Sequence, residues 1–504
     1  MGSCFSEKDL QFIKENEQSV ERLNNQLKYF EKGQTFANIV KPATEGNGIV
    51  VLNAEERESY IKKFDKGAKF LDIVKFIPAS GAATRMFKDL LVLKNGFNGD
   101  LSKVEDQEKL KSYNQFFDNF KKFPFYKRVD NVLKGETERL LETKEYAKIL
   151  DTVLGSDGIN LSKDPKAFIE FHNYESGCAN PIEEHIVEGL GYAKGYRDKL
   201  KLHFTISEGH EERFISITKD LIKKYSDEKI EITYSFQKRS TDTIAVDMEN
   251  KPFRDKDGDL LLRPGGHGAL IDNLNTIEGD LFFVKNIDNV VNQKFLSSTI
   301  ENKKLIAGYL FSLKEEINYY LKSCDDGNID LNEVLQFIKK HLDLDCDQSL
   351  SNEEKKSFIF SALNRPLRVC GMVRNEGEPG GGPFYVKGQD GKISLQIVES
   401  AQIDRSIKEN DEMIKNSTHF NPVDIVYTKR DYQGHNFNLE NYIDHNQAFI
   451  TEKSVDGKSL KALELPGLWN GAMADWITIF VEVPMITFNP VKVVNDLLRK
   501  EHQG

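Results

Sequence analysis

An α/β protein with a mixed, mostly parallel central sheet is predicted on two observations. From Ile73 onward short apolar runs alternate with amphipathic segments, and two of the runs have a side-chain period of two. The first run is DIVKFIP. In KLKLHFTIS the residues Leu200, Leu202, Phe204 and Ile206 alternate with polar neighbours, and Ile230, Ile232, Tyr234 and Phe236 do the same in IEITYSFQ. DLFFVKNID is a fourth run. Between the first two lies a helix signal in which Asn180 is the N-cap, Pro181 opens the helix, and Ile182, Ile186 and Leu190 share one face.

The remaining segments are placed by helical spacing. Residues 1–65 read as a helical extension, with Leu10, Ile13, Leu23, Leu27 and Phe30 in phase and Ser6 with Asp9 as a cap. Helical insertions are expected at about 103–152 and at 293–364, the latter carrying Leu305, Tyr309, Leu313, Ile317 and Leu321. After Arg368 the chain returns to Gly-rich turns and strands, so the second insertion interrupts one domain instead of joining two. Four segments follow: 1–65, 66–292, 293–364 and 365–504.

Composition sets the outer bounds. With 504 residues, 39% hydrophobic, 33 Phe and 17 Tyr, the chain can bury a large core, which excludes wholesale disorder. A net charge of −11 argues against a nucleic-acid binder held by phosphate neutralisation, although a local group of donors can hold a small anion at any net charge. Five cysteines without CxxC spacing suit reduced thiols in a cytoplasm. No apolar run approaches the ~20 residues of a membrane span, and the charged start is no signal peptide. Neither membrane nor export is expected. The opening MGSCFS fits a myristoylation pattern at Gly2, with Cys4 as a second lipid site, but so short a pattern is common by chance.

The strongest local signal is VKFIPASGAATRMFKDLL. A strand runs into the small residues Ala79, Ser80, Gly81, Ala82 and Ala83, and Thr84, Arg85 and Met86 are expected to open a helix. Small residues let backbone N–H groups approach a phosphate, and Arg85 adds a charge-assisted fork. The bland alternative is a tight strand-to-helix turn with a solvated arginine. No GKS or GKT follows, so this is not a Walker loop.

The segment resembles the GxGTRM signature loop of sugar-phosphate nucleotidyltransferases, with Gly81 at the first glycine and Ala83 where the second usually stands. Lys166, in KAFIEFHNY ahead of PIEEHIVEGL, resembles the lysine of their KPxxP-type segment that reaches the phosphates. Ala167 replaces the proline. Three further elements recur in order: SFQK with Gln237 resembles the FxQ strand end of UDP-sugar pyrophosphorylases; RPGGHGAL, with Pro264, Gly265, Gly266, His267 and Gly268, resembles their PxGxG base-binding loop; VKNIDNVV, with Asn286 and Asp288, resembles their VDN strand end. Downstream, SLQIVESAQID around Glu399 resembles their sugar-contacting strand, and THFNPVDIV resembles their FNxxNI segment, with Asn421 matching and Asp424 in place of the second asparagine. The chain is thus identified as a bacterial branch of the UDP-sugar pyrophosphorylase superfamily over roughly residues 73–430.

The resemblance implies a three-layer, glycosyltransferase-A-like fold whose residues 66–292 form the nucleotide-binding half and 365–504 the sugar-binding half. It implies transfer of a nucleotidyl group from a nucleoside triphosphate, UTP favoured, to a sugar 1-phosphate. Arg85 and Lys166 would be catalytic, with residues 79–82, Thr84, Gln237 and 264–268 binding nucleotide. Asn286, Glu399 and Asn421 would bind sugar, and Asp288 and Asp424 would hold Mg2+, a hard cation suited to carboxylate and phosphate oxygens. Two alternatives remain open: a glycosyltransferase consuming a nucleotide sugar, and a non-catalytic nucleotide-sugar sensor. Outside these motifs, Glu183 and Glu184 read as helix-capping and solvated charges, and His185 as a structural or surface histidine. Trp469 and Trp476 read as buried aromatics, with sugar stacking the lesser alternative, and GEPGGGPF (377–384) as a turn, with lining of a sugar pocket the lesser alternative.

Overall fold

The computed structural model describes residues 5–377, 380–455 and 457–504; Gly2 and Cys4 of the lipidation pattern and Glu378 and Pro379 of the Gly-Pro turn lie outside the described residues. The chain divides into two compact units. One comprises Met1–Asp72, Ser235–Phe283 and Leu305–Val483; the other comprises Ile73–Tyr234, Val284–Lys304 and Pro484–Gly504.

In the second unit the four apolar runs behave as expected where they fall within it. Ile73–Pro78 is a strand, buried at five of its six residues, and pairs in parallel with Lys199–Ile206, Lys75 lying opposite Leu202. Lys229–Phe236, which belongs mostly to this unit, flanks Lys199–Ile206 on its other side. The helix Pro181–Tyr192 starts as the sequence requires, with the Asn180 side chain accepting from the Glu183 N–H and proline in the first turn. Beneath the strands Lys75, Glu188 and Lys285 form a buried ionic group, Glu188 accepting from Lys75 at 3.1 Å and from Lys285 at 2.7 Å. Burial brings the Lys75 ammonium down to about 7. Burial alone would raise the Glu188 carboxyl, but Lys285 and Lys75 outweigh it and hold Glu188 well below the usual range. This group ties the first strand, the helix and the segment leading to Asp288 into one frame.

The insertion at 103–152 builds the hydrophobic core of this unit. Tyr113, Phe116, Phe117, Phe120, Phe123 and Phe125 are all buried and pack in one cluster with Met86, Phe87 and Leu90, the residues just after the signature loop. Val491, Val494 and Leu497 of the last segment join the same cluster, which anchors the C-terminal residues.

The first unit holds a mixed sheet, with strands in the order Thr44–Glu45, Gly48–Val50, Ile477–Glu482, Leu367–Arg374, His419–Thr428 and Leu281–Val284. Leu367–Arg374 is parallel to Ile477–Glu482 and antiparallel to His419–Thr428. Its N-terminal helices, Glu7–Glu15 and Val20–Lys32, are capped by Ser6 and Ser19. The wholly helical reading of residues 1–65 needs correction: the strands Ile39–Pro42, Thr44–Glu45 and Gly48–Val50 precede the helix Ala54–Gly67. Strands of two to four residues are too short for a period of two to register. The insertion at 293–364 comprises three helices, Leu296–Asp325, Leu331–Leu342 and Asn352–Leu363. Among the described residues no helix is long and apolar enough to cross a membrane.

Candidate active site

In the second unit the signature loop leaves the strand Ile73–Pro78 and is clamped onto the segment before Lys166. The Ala83 N–H donates to the Asp164 carbonyl at 2.9 Å, and Ala82 bridges Pro165. The Lys166 N–H donates to the Gly81 carbonyl at 3.2 Å, and the Thr84 hydroxyl donates to the Ser162 carbonyl at 3.2 Å. Ala79 and Ala83 are buried, whereas Ser80, Gly81, Ala82, Thr84 and Arg85 are exposed. The expected helix start is corrected here: Ala83–Arg85 is a single 3-10 turn, and the α-helix begins at Lys88. Three residues are too short to supply a helix dipole, so any anion held here would rely on loop N–H groups and on Arg85. Arg85 has no hydrogen-bond or ion-pair partner among the described residues.

The Lys166 ammonium pairs with Asp288 at 2.8 Å and donates to the Val491 carbonyl at 2.6 Å. Asp288 ends the segment after Leu281–Val284, and the Ile287 N–H donates to the Pro78 carbonyl. Its own carbonyl accepts from the Val491 N–H at 3.1 Å. Lys492, largely exposed, places its ammonium 3.8 Å from the Asp288 carboxylate. Gly81, Lys166 and Asp288, expected from separate motifs, are therefore neighbours in one unit. Asn286, half-buried, lies two residues before Asp288.

The other candidates lie in the first unit. The 264–268 loop packs on residues 464–468, the Leu465 N–H donating to the Gly265 carbonyl at 2.9 Å. A Cβ at Gly268 would meet the Pro466 carbonyl oxygen at 2.1 Å, one at Gly265 would meet the Thr241 carbonyl oxygen at 2.7 Å, and Gly266 has φ +77°. The His267 ring stacks on Trp469 at 4.4 Å, and its Nδ1 accepts from the Leu468 N–H at 3.0 Å. That fixes the hydrogen on Nε2, which lies 3.8 Å from the Glu399 carboxylate. Burial brings His267 down to about 4. Burial also raises the Glu399 carboxyl, with Glu464 adding to the rise and the Trp469 side chain opposing it. His267 and Glu399, expected from separate motifs, thus lie close together. Pro264 is exposed, and Gln237 is half-buried with its Nε2 enclosed and without an acceptor among the described residues.

Asn421 and Asp424 are buried in the strand His419–Thr428 on either side of an irregularity. Between them Val423 has φ +56°, a left-handed conformation costly for a β-branched residue, and its N–H donates to Asn421 Oδ1 at 3.0 Å. Asn421 Nδ2 is buried without an acceptor among the described residues. Among the described residues no three His, Cys, Asp or Glu side chains gather as a metal-holding group. Mg2+ is commonly held by one or two carboxylates together with substrate phosphates and waters; Asp288 is a single carboxylate of the kind such an ion shares with a phosphate, and here it is paired with Lys166.

Several readings change. Glu183 and Glu184 are buried, not solvated: Glu183 accepts from Tyr225, and Glu184 accepts from Tyr174 at 2.7 Å and faces His172 at 2.7 Å. His185 is wholly buried, with Nε2 on the Ile287 carbonyl at 3.2 Å, one residue from Asp288. Trp476 is buried as read, while Trp469 is half-buried and stacked on His267. The sequence reading missed Val491 and Lys492. Nothing local marks them; long-range packing of the apolar residues 491, 494 and 497 brings them to Asp288.

Residues 6–503 match the family described as Domain of unknown function (DUF4301). The chain belongs to that family. Solved structures similar to it include a UDP-glucose pyrophosphorylase variant from Leishmania major in complex with UDP-glucose, 13% identical with a TM-score of 0.45, covering 99% of this chain and 78% of that one. Another is the uridine diphosphate N-acetylglucosamine pyrophosphorylase from Trypanosoma brucei in complex with inhibitor, at 12%, 0.44, 96% and 74% respectively. A UDP-glucose phosphorylase from Trypanosoma brucei matches at 12%, 0.45, 99% and 78%. No curated protein matches the chain.

Proposed function

We propose that this member of the family is a nucleotidyltransferase that joins a nucleoside triphosphate, UTP favoured, to a sugar 1-phosphate and releases pyrophosphate. One observation carries the reading: the exposed Gly81 loop is clamped backbone-to-backbone on the 164–166 segment, and that clamp sets Lys166 against Asp288. Gly81 supports it further, since a Cβ there would meet no protein atom within 4 Å and its φ is not positive, so the protein itself does not require glycine at this point. The space is available to a phosphate.

In the proposed reaction an oxygen of the sugar phosphate bonds to the α-phosphorus while the bond from that phosphorus to the bridging oxygen breaks, and pyrophosphate leaves with the electron pair. Such a transfer depends on positioning and charge neutralisation more than on covalent help. Arg85, without a partner among the described residues, would take the pyrophosphate charge. Lys166 would exchange Asp288 for the α-phosphate when substrate arrives, and Lys492 would add a second ammonium beside it. Mg2+, held in this reading by Asp288, would supply further neutralisation of the phosphates. The unpaired amide donor of Gln237 suits a carbonyl of the base, as uracil offers, and Glu399 with the orphaned amide of Asn421 suits sugar hydroxyls. The glycosyltransferase-A-like layering belongs to the same proposal.

The test is pyrophosphate release by the purified chain with Mg2+, each common nucleoside triphosphate and a panel of sugar 1-phosphates. Release that requires one particular triphosphate and one particular sugar phosphate is the expected result. Release from no pair, despite nucleotide-dependent thermal stabilisation, would overturn catalysis and leave a sensor.

A further inference from the structure

A cavity of about 710 Å3 lies within the first unit, lined on one side by the helix Val20–Lys32 and on the other by Gly268, Ala269, Leu465 and Pro466. None of Gln237, His267, Glu399, Asn421 or Asp424 lines it. Its size falls in the range of roughly 300–1,000 Å3 usual for small-molecule sites.

Two donors on one face of the helix, four residues apart, define its chemistry. Gln26 is 6% exposed; its Oε1 accepts from the Ile244 N–H at 2.9 Å, and its buried Nε2 has no acceptor among the described residues. A buried amide donor left without a partner is uncommon and calls for an explanation. Arg22 donates from one nitrogen to the Ser240 carbonyl at 2.7 Å and has no ion-pair partner among the described residues; burial lowers its pKa, with the charges of Asp272, Glu440 and Asp242 opposing the fall. Asp272, the acid on the opposite wall, is held by Lys238 at 3.0 Å. Ile271, Leu463 and Leu465 supply apolar surface, and Glu21 and Glu440 stand exposed among the lining residues.

We propose that this cavity is a second binding site, for a small monocarboxylate with an apolar body, whose occupancy is felt by the 265–268 loop. The carboxylate satisfies Gln26 Nε2 and the free nitrogens of Arg22, and the body covers the leucine and isoleucine surface. A single negative charge is selected, because Glu21 and Glu440 disfavour a multiply charged phosphate compound. The coupling follows from the walls. Gly268 fits so closely against Pro466 that a ligand touching both sides bears on the seam between them, and Trp469 lies three residues beyond Pro466, stacked on His267.

The full chain is titrated with benzoate at constant ionic strength, read by calorimetry and by tryptophan emission, with benzylammonium and inorganic phosphate in parallel. No nucleotide is present, so the outcome is independent of the proposed transfer reaction. Saturable benzoate binding with a change in tryptophan emission is expected, without saturation by the other two probes. Gln26→Glu keeps the acceptor for Ile244 and replaces the orphaned donor with an anion, and it should weaken benzoate about tenfold, as should Arg22→Gln. Benzylammonium or phosphate binding as tightly as benzoate, no saturation by benzoate, or benzoate affinity unchanged in both variants would overturn the proposal. The wild-type comparison of the three probes stands even where a variant melts early.

Discussion

Two glycine-bearing loops, one in each unit, look alike in sequence and differ in what the glycine is for. At Gly81 the protein leaves open space and ordinary backbone angles, so nothing in the chain itself requires glycine there. At Gly265 and Gly268 backbone carbonyl oxygens occupy the places a Cβ would take, so glycine there answers to the 464–468 segment. A glycine pattern therefore marks close approach without saying whether ligand or protein approaches. Function at the first loop and packing at the second should separate under substitution.

The largest expected effect lies beside the open loop. Lys166→Ala and Asp288→Asn should each lower kcat for pyrophosphate release about 100- to 1,000-fold, the size of a lost transition-state donor, while circular dichroism stays close to wild type and melting falls, since each change leaves a nearly buried charge without its partner. Activity within threefold of wild type in either folded variant would remove that residue from the proposed machinery. Next comes Gly268→Ala, in which the new methyl meets the Pro466 oxygen at 2.1 Å and the backbone must shift. A loss of about 3 kcal/mol and a melting point lower by a few degrees are expected. Gly81→Ala inverts that pattern: unchanged melting and about a tenfold rise in KM for the triphosphate. Were Gly81→Ala to melt early or Gly268→Ala to melt normally, the contrast between the loops would fail. Lys492→Ala, an exposed charge 3.8 Å from Asp288, should cost about threefold in kcat/KM, an effect that shrinks in high salt.

What the sequence made legible has a physical pattern of its own. The strands Ile73–Pro78 and Lys199–Ile206 and the cap at Asn180 were readable because burial period, Pro position and cap chemistry are local properties. The juxtaposition of Gly81, Lys166 and Asp288 was anticipated only through the order of motifs, since no local rule brings residues 85 and 122 positions apart into contact. Burial of Glu183 and Glu184 escaped notice because their partners, Tyr225 and His172, come from other elements. Lys492 is the extreme case. Its place is set by Val491, Val494 and Leu497 joining a core built from residues 86–171, a packing decision with no signature near position 492.

The smallest expected effect is a flat line, and it tests the packed loop most directly. An exposed histidine beside a nucleotide would impart a binding step near its ordinary pKa of about 6.5. His267 is held neutral by burial down to about 4, with Nδ1 already engaged by the Leu468 N–H. The unfolded chain takes up that proton near 6.5 and the folded chain only near 4. This group's effect on stability is therefore constant above 6.5, and it destabilises the fold progressively as pH falls from 6.5 toward 4. Nucleotide affinity should show no His267 step between pH 5 and 8, and the His267→Gln profile should run parallel to wild type whatever its offset. A wild-type step near 6.5 that vanishes in His267→Gln would mean that the imidazole is free to titrate. The loop would then be loose on Trp469, and its glycines would be open to a ligand, as proposed for Gly81.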